Sequence, residues 1–389
     1  MLMGEDIMSR TRMELHTHLM GMLSAKAFVK FLIANEVYSI YWPINKPYDE
    51  NSKIISLKEI LCDDDMLLDL LSQLQIEHSK NVDYRQLNNY YKNRRDLIKF
   101  VVESQKDYKD SPSLVKKRIY NNYINECLRE LVCQGVKYVE ISYSIRQVLL
   151  NFEIANDVKG KIECKFLLST DRSNPISKFK ESSKDLKKVL DNGIAVGFDI
   201  MGEEREFSLE ELDEKSDKCF KMKLLNILVN LYGKDGATLR LHSGETNKSV
   251  KNTEITLSML EEIKNQFLSE NPNSKEEILP PPEIRIGHGL YFEENENYLR
   301  LLKKFKCIVE INASSNYALG NIGGYNEIPY KYYIQNGIPL VISTDGHGLY
   351  DTTIQLENEI AKKFLGPDLY NKLVMCDTKI LMTKLRGGK

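Results

Sequence analysis

The feature that most constrains this chain is a repeated alternation of short β-branched or apolar runs with longer helical patterns. Met13–His16, Val136–Ser142, Ile162–Ser169, Ile194–Ile200, Thr238–His242, Ile284–His288, Cys307–Ile311 and Pro339–Ser343 read as strands. Helical patterns over Ser113–Cys133, Pro175–Leu190, Glu214–Leu231, Thr253–Phe267, Glu296–Lys304 and Tyr325–Asn336 fill the gaps. Strands alternating with helices imply a parallel sheet, because parallel neighbours need a crossover connection. Eight such units imply an α/β fold of the closed (β/α)8 TIM barrel type. A length of 389 residues suits one such barrel with insertions. We therefore expect a single domain over residues 1–389, with a helical insertion at about residues 24–134 after the first strand. Within it, Tyr38–Ser52 reads as a polar, aromatic-rich loop, and Arg386–Lys389 reads as a frayed tail.

Composition narrows the function. A formal net charge of -2 gives no global electrostatic case for nucleic acid. The local basic runs Lys92–Arg95 and Lys116–Arg118 read as solvated helix faces. Met1–Arg10 lacks the apolar core of a signal peptide, and no stretch reaches the ~18 apolar residues of a membrane span. Seven scattered cysteines with no C-x-x-C pair read as reduced thiols of a cytoplasmic protein.

The histidines carry the chemistry. Of six, five sit at or just beyond strand ends: His16, His18, His242, His288 and His347; His78 lies in a helical pattern. Catalytic groups of a barrel collect at the C-terminal strand ends. His16 and His18 are two apart, so on a strand they face one side. His242 and Asp345 add a third imidazole and a carboxylate. Such a donor set suits one zinc ion with a position open for water, although iron, manganese or cobalt fit the same ligands. In His-Ser-Gly-Glu, Gly244 permits a turn that brings Glu245 back toward the ion, where it could protonate a ring nitrogen. The alternative is an acid at a helix N-terminus. His288, between two glycines, is a candidate for orienting the attacking hydroxide or stabilising charge on it.

Six segments, in order, resemble the adenosine deaminase family of the metal-dependent amidohydrolases: Met13–Leu23 (MELHTHLMGML), Val196–Glu204 (VGFDIMGEE), Leu241–Glu245 (LHSGE), Arg285–Gly289 (RIGHG), Glu310–Gly320 (EINASSNYALG) and Ser343–Asp345 (STD). The resemblance implies zinc ligation by His16, His18, His242 and Asp345, proton donation by Glu245, orientation of the attacking group by His288, and a purine contact from the Gly202 backbone. It implies hydrolytic deamination of an adenine nucleoside or its 5′-monophosphate to the inosine form. That reaction places the chain in purine nucleotide metabolism or in a specialised role such as antiviral nucleotide modification. The cysteine-ligated signature of cytidine-type deaminases is absent.

Two positions depart from the family pattern. Met20 stands where an Asp usually holds the sugar 5′-hydroxyl, which removes repulsion against a 5′-phosphate. Gly346 stands where a second Asp contacts the purine, leaving the neighbouring His347 as a substitute donor or as a group behind the ligands. Arg172, in an Asp-Arg pair like that of deaminases of N-methylated adenosine monophosphate, is a phosphate candidate, with Lys92, Arg94 and Arg95 as others. The partner expected is a small adenine compound, with no nucleic acid or membrane. The exposed face of Ser113–Cys133 or the insertion is the candidate oligomer interface. Two rival readings remain. One is a different mononuclear amidohydrolase, disfavoured by Glu245 and by the lack of a bridging strand-end lysine. The other is a non-catalytic metal-binding barrel subunit, disfavoured by the complete ligand set.

Overall fold

The computed structural model describes residues 12–35, 37, 39–42, 53–76, 81–105, 111–204, 209–270 and 281–387. Strand β1 (Arg12–His18) is followed by helices α1 (Leu19–Met22) and α2 (Ala25–Ala34), then by β2 (Ser39–Trp42) and β3 (Lys53–Ser56). Four helices come next: α3 (Leu57–Cys62), α4 (Asp64–Leu74), α5 (Tyr84–Ser104) and α6 (Pro112–Cys133). Strands and helices then alternate through β4 (Val136–Tyr143), α7 (Arg146–Leu150), β5 (Glu163–Asp171), α8 (Ile176–Asp191), β6 (Ala195–Met201), α9 (Leu209–Leu231), β7 (Thr238–Ser243) and α10 (Asn252–Glu270). The series continues with β8 (Glu283–His288), α11 (Glu296–Lys304), β9 (Ile308–Ile311), α12 (Ala313–Ala318), α13 (Tyr330–Gln335), β10 (Leu340–Ile342), α14 (Ile354–Leu365) and α15 (Pro367–Gly387).

Eight strands form one parallel sheet in the order β1-β4-β5-β6-β7-β8-β9-β10. The sheet closes through Asp345, just past β10, which bridges to Thr17 of β1. The Asp345 N–H donates to the His16 carbonyl at 2.8 Å, and the His18 N–H donates to the Asp345 carbonyl at 3.1 Å. This is the (β/α)8 barrel that the alternation implies, and all eight expected strands are present.

Local sequence explains the elements. Helix α11 starts at Asn295, whose side chain accepts from the Tyr298 N–H at 2.7 Å. Glu296 in its first turn and Lys303 and Lys304 in its last match the helix dipole, while Tyr298, Leu301 and Leu302 bury one face. Helix α5 begins with a reciprocal Asp83–Gln86 capping box and buries Leu87, Arg94, Leu97, Ile98 and Val101. Two segments hold α5 against the barrel rim. The Ile76 N–H donates to the Leu349 carbonyl at 2.8 Å, and the Val82 N–H donates to the Ala318 carbonyl at 2.9 Å.

Three expectations need correction. The expected loop over Tyr38–Ser52 contains β2, which pairs antiparallel with β3 from Ser39↔Ser56 to Trp42↔Lys53. Four-residue strands are too short to show a two-residue period, and their apolar content (Ser-Ile-Tyr-Trp, Lys-Ile-Ile-Ser) was absorbed into the polar average. The single helix expected over Tyr325–Asn336 is a 3-10 turn (Tyr325–Glu327) followed by α13. Pro329 divides the two, since it lacks a backbone donor and disfavours helical geometry at Ile328. The expected frayed tail is ordered helix as far as Gly387. His78 lies outside the described residues. Among the described residues no helix is long and apolar enough to cross a membrane, and the six described cysteines are unpaired. The basic runs carry surface pairs such as Lys92–Asp96 at 3.2 Å and Lys117–Glu153 at 2.7 Å.

The barrel interior is charged rather than aliphatic. Arg285 is fully buried and donates to Glu310 at 3.0 Å, to Glu283 at 2.7 Å and to Glu140. Arg240 donates to the Leu15 carbonyl at 2.6 Å and to Asp199 at 3.1 Å. Removing one partner from such a network strands the others in low dielectric. Arg285→Met should therefore destabilise the protein by about 3–5 kcal/mol, read by urea unfolding.

Candidate active site

The step of two along each strand builds the site. Glu14, His16 and His18 alternate on β1, Glu140 and Ser142 on β4, Arg240 and His242 on β7. The lower members form the charged interior, and the upper members form the rim. His16, His18 and His242 come together with candidate donor atoms within 4.8 Å of one another. Their ring centroids are 4.6 Å (His16–His242), 5.2 Å (His18–His242) and 5.5 Å (His16–His18) apart. Asp345 Oδ1 lies 3.3 Å from His18 Nε2 and 3.7 Å from His16 Nε2. His242, Glu245 and His288 form a second donor group that shares His242 with the first. The structure thus gathers His16, His18, His242, Asp345, Glu245 and His288 at one end of the barrel.

Backbone geometry at this rim is unusual. His288 and Asp345 are non-glycine residues with φ of 71° and 64°. Strain of this kind costs of order 1–3 kcal/mol and collects at functional sites. Gly287 is needed for close approach, since a Cβ there would sit 2.7 Å from His16 Cε1. Gly244, with φ of 67°, makes the turn that carries Glu245.

The residues fit a metal ion. Buried polar atoms almost always have a hydrogen-bond partner, yet His16 Nε2 has none and lies 3.7 Å from Asp345 Oδ1, while His242 Nε2 and Asp199 Oδ1 face each other at 3.3 Å. His16 Nδ1 instead meets Glu310 Oε2 at 2.9 Å, which fixes the ring and leaves Nε2 facing the cluster. Burial and the Arg240 guanidinium hold His16 well below the usual imidazole pKa, and burial and His242 do the same to His18. Burial, with His242 beside it, pushes His288 down to about 4. At His242 burial acts in the same direction, but the Asp199 carboxylate outweighs it and raises the pKa. Asp199 itself, despite burial, is held well below the carboxylate range by Arg240 and His242. Burial thus favours the neutral form at His16 and His18, and neutral imidazoles beside a carboxylate are the donors that a divalent ion takes.

A cavity of about 420 Å³ opens from this cluster. Met20, Gly202, Glu245, His242, His288 and Asp345 line it, together with Tyr84, Leu87, Asn88, Tyr91 and Arg95 from α5. Thr170, Asp171, Asn174, Lys178 and Asp185 extend its wall along the end of β5 and onto α8.

Three residues named for substrate contact are placed away from the cavity. Arg172 is buried and donates to Glu204 Oε1 at 3.2 Å and to the His242 carbonyl, so its charge is spent on framing the site. His347 Nε2 faces Glu130 Oε2 at 3.3 Å. Gly346 packs against Gly21, and a Cβ on it would lie 3.1 Å from Gly21 Cα. Of the other phosphate candidates, Arg94 is fully buried beneath the rim and Arg95 lines the cavity.

Glu204, Glu310 and Asp199 were not singled out in the sequence. Glu204 is fully buried and accepts from the Glu245 N–H at 2.7 Å, the Gly244 N–H at 3.3 Å, Ser249 Oγ at 2.7 Å and Asn252 Nδ2 at 3.0 Å. It therefore shapes the turn that presents Glu245. Glu245 Oε1 is reached by Asn321 Nδ2 at 3.3 Å and lies 3.9 Å from His288 Nε2. The available signal was an acid in the middle of an apolar run, as in Gly-Phe-Asp-Ile and Ile-Val-Glu-Ile.

Comparison with known proteins agrees with this geometry. Residues 282–371 match the adenosine deaminase family model. N6-methyl-AMP deaminase-L of Xenopus laevis is 23% identical over 253 residues, 61% of this chain and 63% of that protein. An adenosine deaminase of Enterococcus faecalis is 36% identical over 104 residues, 22% of this chain and 31% of that protein. The chain thus aligns with less than two thirds of either of these relatives. An adenosine deaminase of Clostridium botulinum, strain Loch Maree, is 23% identical over 319 residues, 78% of this chain and 83% of that protein. Among solved structures, Arabidopsis ADAL complexed with IMP superposes with a TM-score of 0.58 at 17% identity, covering 96% of this chain and 92% of that one. The apo N6-methyl-AMP deaminase of Arabidopsis thaliana gives 0.56 at 18%, covering 95% and 91%. These superpositions show a shared barrel fold. The chain is thus similar to the adenosine deaminase family over residues 282–371 and along the aligned parts of these relatives.

If the cluster takes up zinc, Glu310→Gln should weaken that binding by roughly 10–100-fold, as loss of an outer partner of a metal-bound histidine does. His16→Ala should abolish binding; both are read by titration against a chromogenic chelator.

Proposed function

We propose that this chain hydrolytically deaminates an adenine nucleotide, with a zinc ion held by His16, His18, His242 and Asp345. The observation that carries the reading is the convergence of His16, His18 and His242 with Asp345 and the Glu245 turn at one end of a single cavity. When bound, the ion supplies Lewis acidity that makes water a nucleophile at neutral pH.

The chain's own groups do the rest. The base enters the cavity past Gly202, Met20 and Leu319. His288 orients the incoming water from its strained position at the end of β8. Glu245 delivers a proton to the ring nitrogen adjacent to the attacked carbon, and Glu204 holds its backbone in place. The water oxygen bonds to the amine-bearing ring carbon, one water proton returns to Glu245 and the other passes to the amino group, the carbon–nitrogen bond breaks, and ammonia leaves. The product carries the hypoxanthine base.

The preference for a 5′-monophosphate over a nucleoside rests on two features. Met20 lines the cavity where a carboxylate would repel phosphate. Arg95 lines it too and has no ion pair among the described residues. The relative from Xenopus laevis bears the name of an AMP-derivative deaminase, and one structural neighbour holds IMP. The unpaired cysteines support a reducing, cytoplasmic location.

The test is release of ammonia from zinc-loaded protein across adenosine, deoxyadenosine, AMP, dAMP and ATP, and of methylamine from N-methylated AMP. Turnover of a monophosphate is expected; turnover of nucleosides alone would refute the nucleotide preference, and silence with metal bound would refute deamination. Glu245→Gln should keep its zinc and lose at least ~100-fold in kcat. Met20→Asp should lower the ratio of nucleotide to nucleoside turnover; an unchanged ratio would remove Met20 from substrate selection.

A further inference from the structure

Arg94 is fully buried on α5, and no carboxylate lies within ion-pair distance of it among the described residues. A guanidinium in such a place is costly unless its donors are satisfied. They are met chiefly by backbone carbonyls, with the Tyr123 side chain beside them. Nε donates to Leu74 at 2.7 Å, Nη1 to Met20 at 3.2 Å and to Leu23 at 2.6 Å, and Nη2 to Gly348 at 3.1 Å. The Phe28 ring lies 5.6 Å from its Cζ.

The origin of those carbonyls matters. Met20 and Leu23 belong to the turn that follows His18, and Gly348 to the turn that follows Asp345. Leu74 is the last residue of α4, where carbonyls lack helical partners and favour a cation. The two turns also touch each other. The Leu349 N–H donates to the Gly21 carbonyl at 2.8 Å, and Gly346 lies against Gly21. One planar fork of donors thus spans both turns that carry proposed ligands and anchors them to the helix whose Tyr84, Leu87, Asn88, Tyr91 and Arg95 line the cavity.

We propose that Arg94 is a positioning residue: it fixes the spacing of the His18 and Asp345 turns, and so sets metal affinity, while holding α5 at the height that fits substrate. This rests on His18 and Asp345 being ligands. A guanidinium is required because a lysine has no fixed fork and cannot reach carbonyls on opposite sides together.

The experiment compares Arg94→Lys and Arg94→Met with Val101→Ala, a core truncation on the same helix that does not line the cavity. Zinc affinity is read by chelator competition, stability by urea unfolding, and KM against kcat with whichever substrate turns over. Arg94→Met is expected to weaken zinc binding at least ~10-fold, in the range of second-layer metal partners, and to raise KM. Arg94→Lys should fall between Arg94→Met and wild type, and it carries the test should Arg94→Met not fold. Val101→Ala should lose stability and keep wild-type zinc affinity. Zinc affinity unchanged in Arg94→Lys and Arg94→Met, or falling as much in Val101→Ala as in those two, would overturn the proposal. Failure of wild-type protein to take up zinc would overturn the ligand assignment, and this inference with it.

Discussion

The barrel closes on Asp345. Strand β10 is only three residues long and ends at Ile342. The seam with β1 is made beyond its end, by paired backbone bonds of 2.8 Å and 3.1 Å between Asp345 and the His16–His18 segment. The left-handed φ of 64° at Asp345 accompanies a carboxylate placed toward His16 and His18 while the backbone pairs with β1. The closing residue and the carboxylate of the proposed metal centre are therefore one residue. Arg94 lies beneath the same seam and draws its two turns together.

A polar interior supports this arrangement from below. An aliphatic barrel core would pack as well, but it would leave His16 Nδ1 without a partner. Glu310 supplies one, and Arg285 and Arg240 compensate the buried carboxylate. Burial raises the Glu310 pKa and the two guanidinium groups oppose that rise. Buried ion networks contribute little net stability compared with hydrophobic packing. Here the network contributes orientation, since each arginine has its donors committed on more than one strand. Deeper in the seam, burial raises Glu14 to about 8, against hydrogen bonds from Thr344 and His16 that favour its charged form. The rim is thus built from groups whose charge is set by neighbours rather than by solvent.

The elements and the clustering of the strand-end histidines were legible in the sequence because each depends on local pattern. A strand such as Val136–Tyr143 declares itself by β-branched content, and His16 and His18 share a face by the two-residue period alone. The β2–β3 pair was not legible, because its partners are four residues each, too short for a two-residue period to stand out. Long-range partners were hidden for a different reason. Arg172 and Arg94 look alike as basic residues near a proposed phosphate. Only three dimensions show that one is bound to Glu204 and the other to four carbonyls. His347 reads as a strand-end imidazole like the others, yet it faces Glu130, 217 residues away in sequence.

Asp345 closes the barrel through its backbone, and its side chain is the proposed metal ligand. Asp345→Asn separates the two roles, because asparagine tolerates positive φ and keeps both backbone bonds while losing the charge. The measurement is zinc stoichiometry of this variant, alongside urea unfolding of both proteins stripped of metal. The account expects unfolding close to wild type for the stripped variant and loss of stoichiometric zinc. Full zinc retention would contradict the ligand assignment, and a stripped variant unable to fold would contradict the separation of closure from ligation.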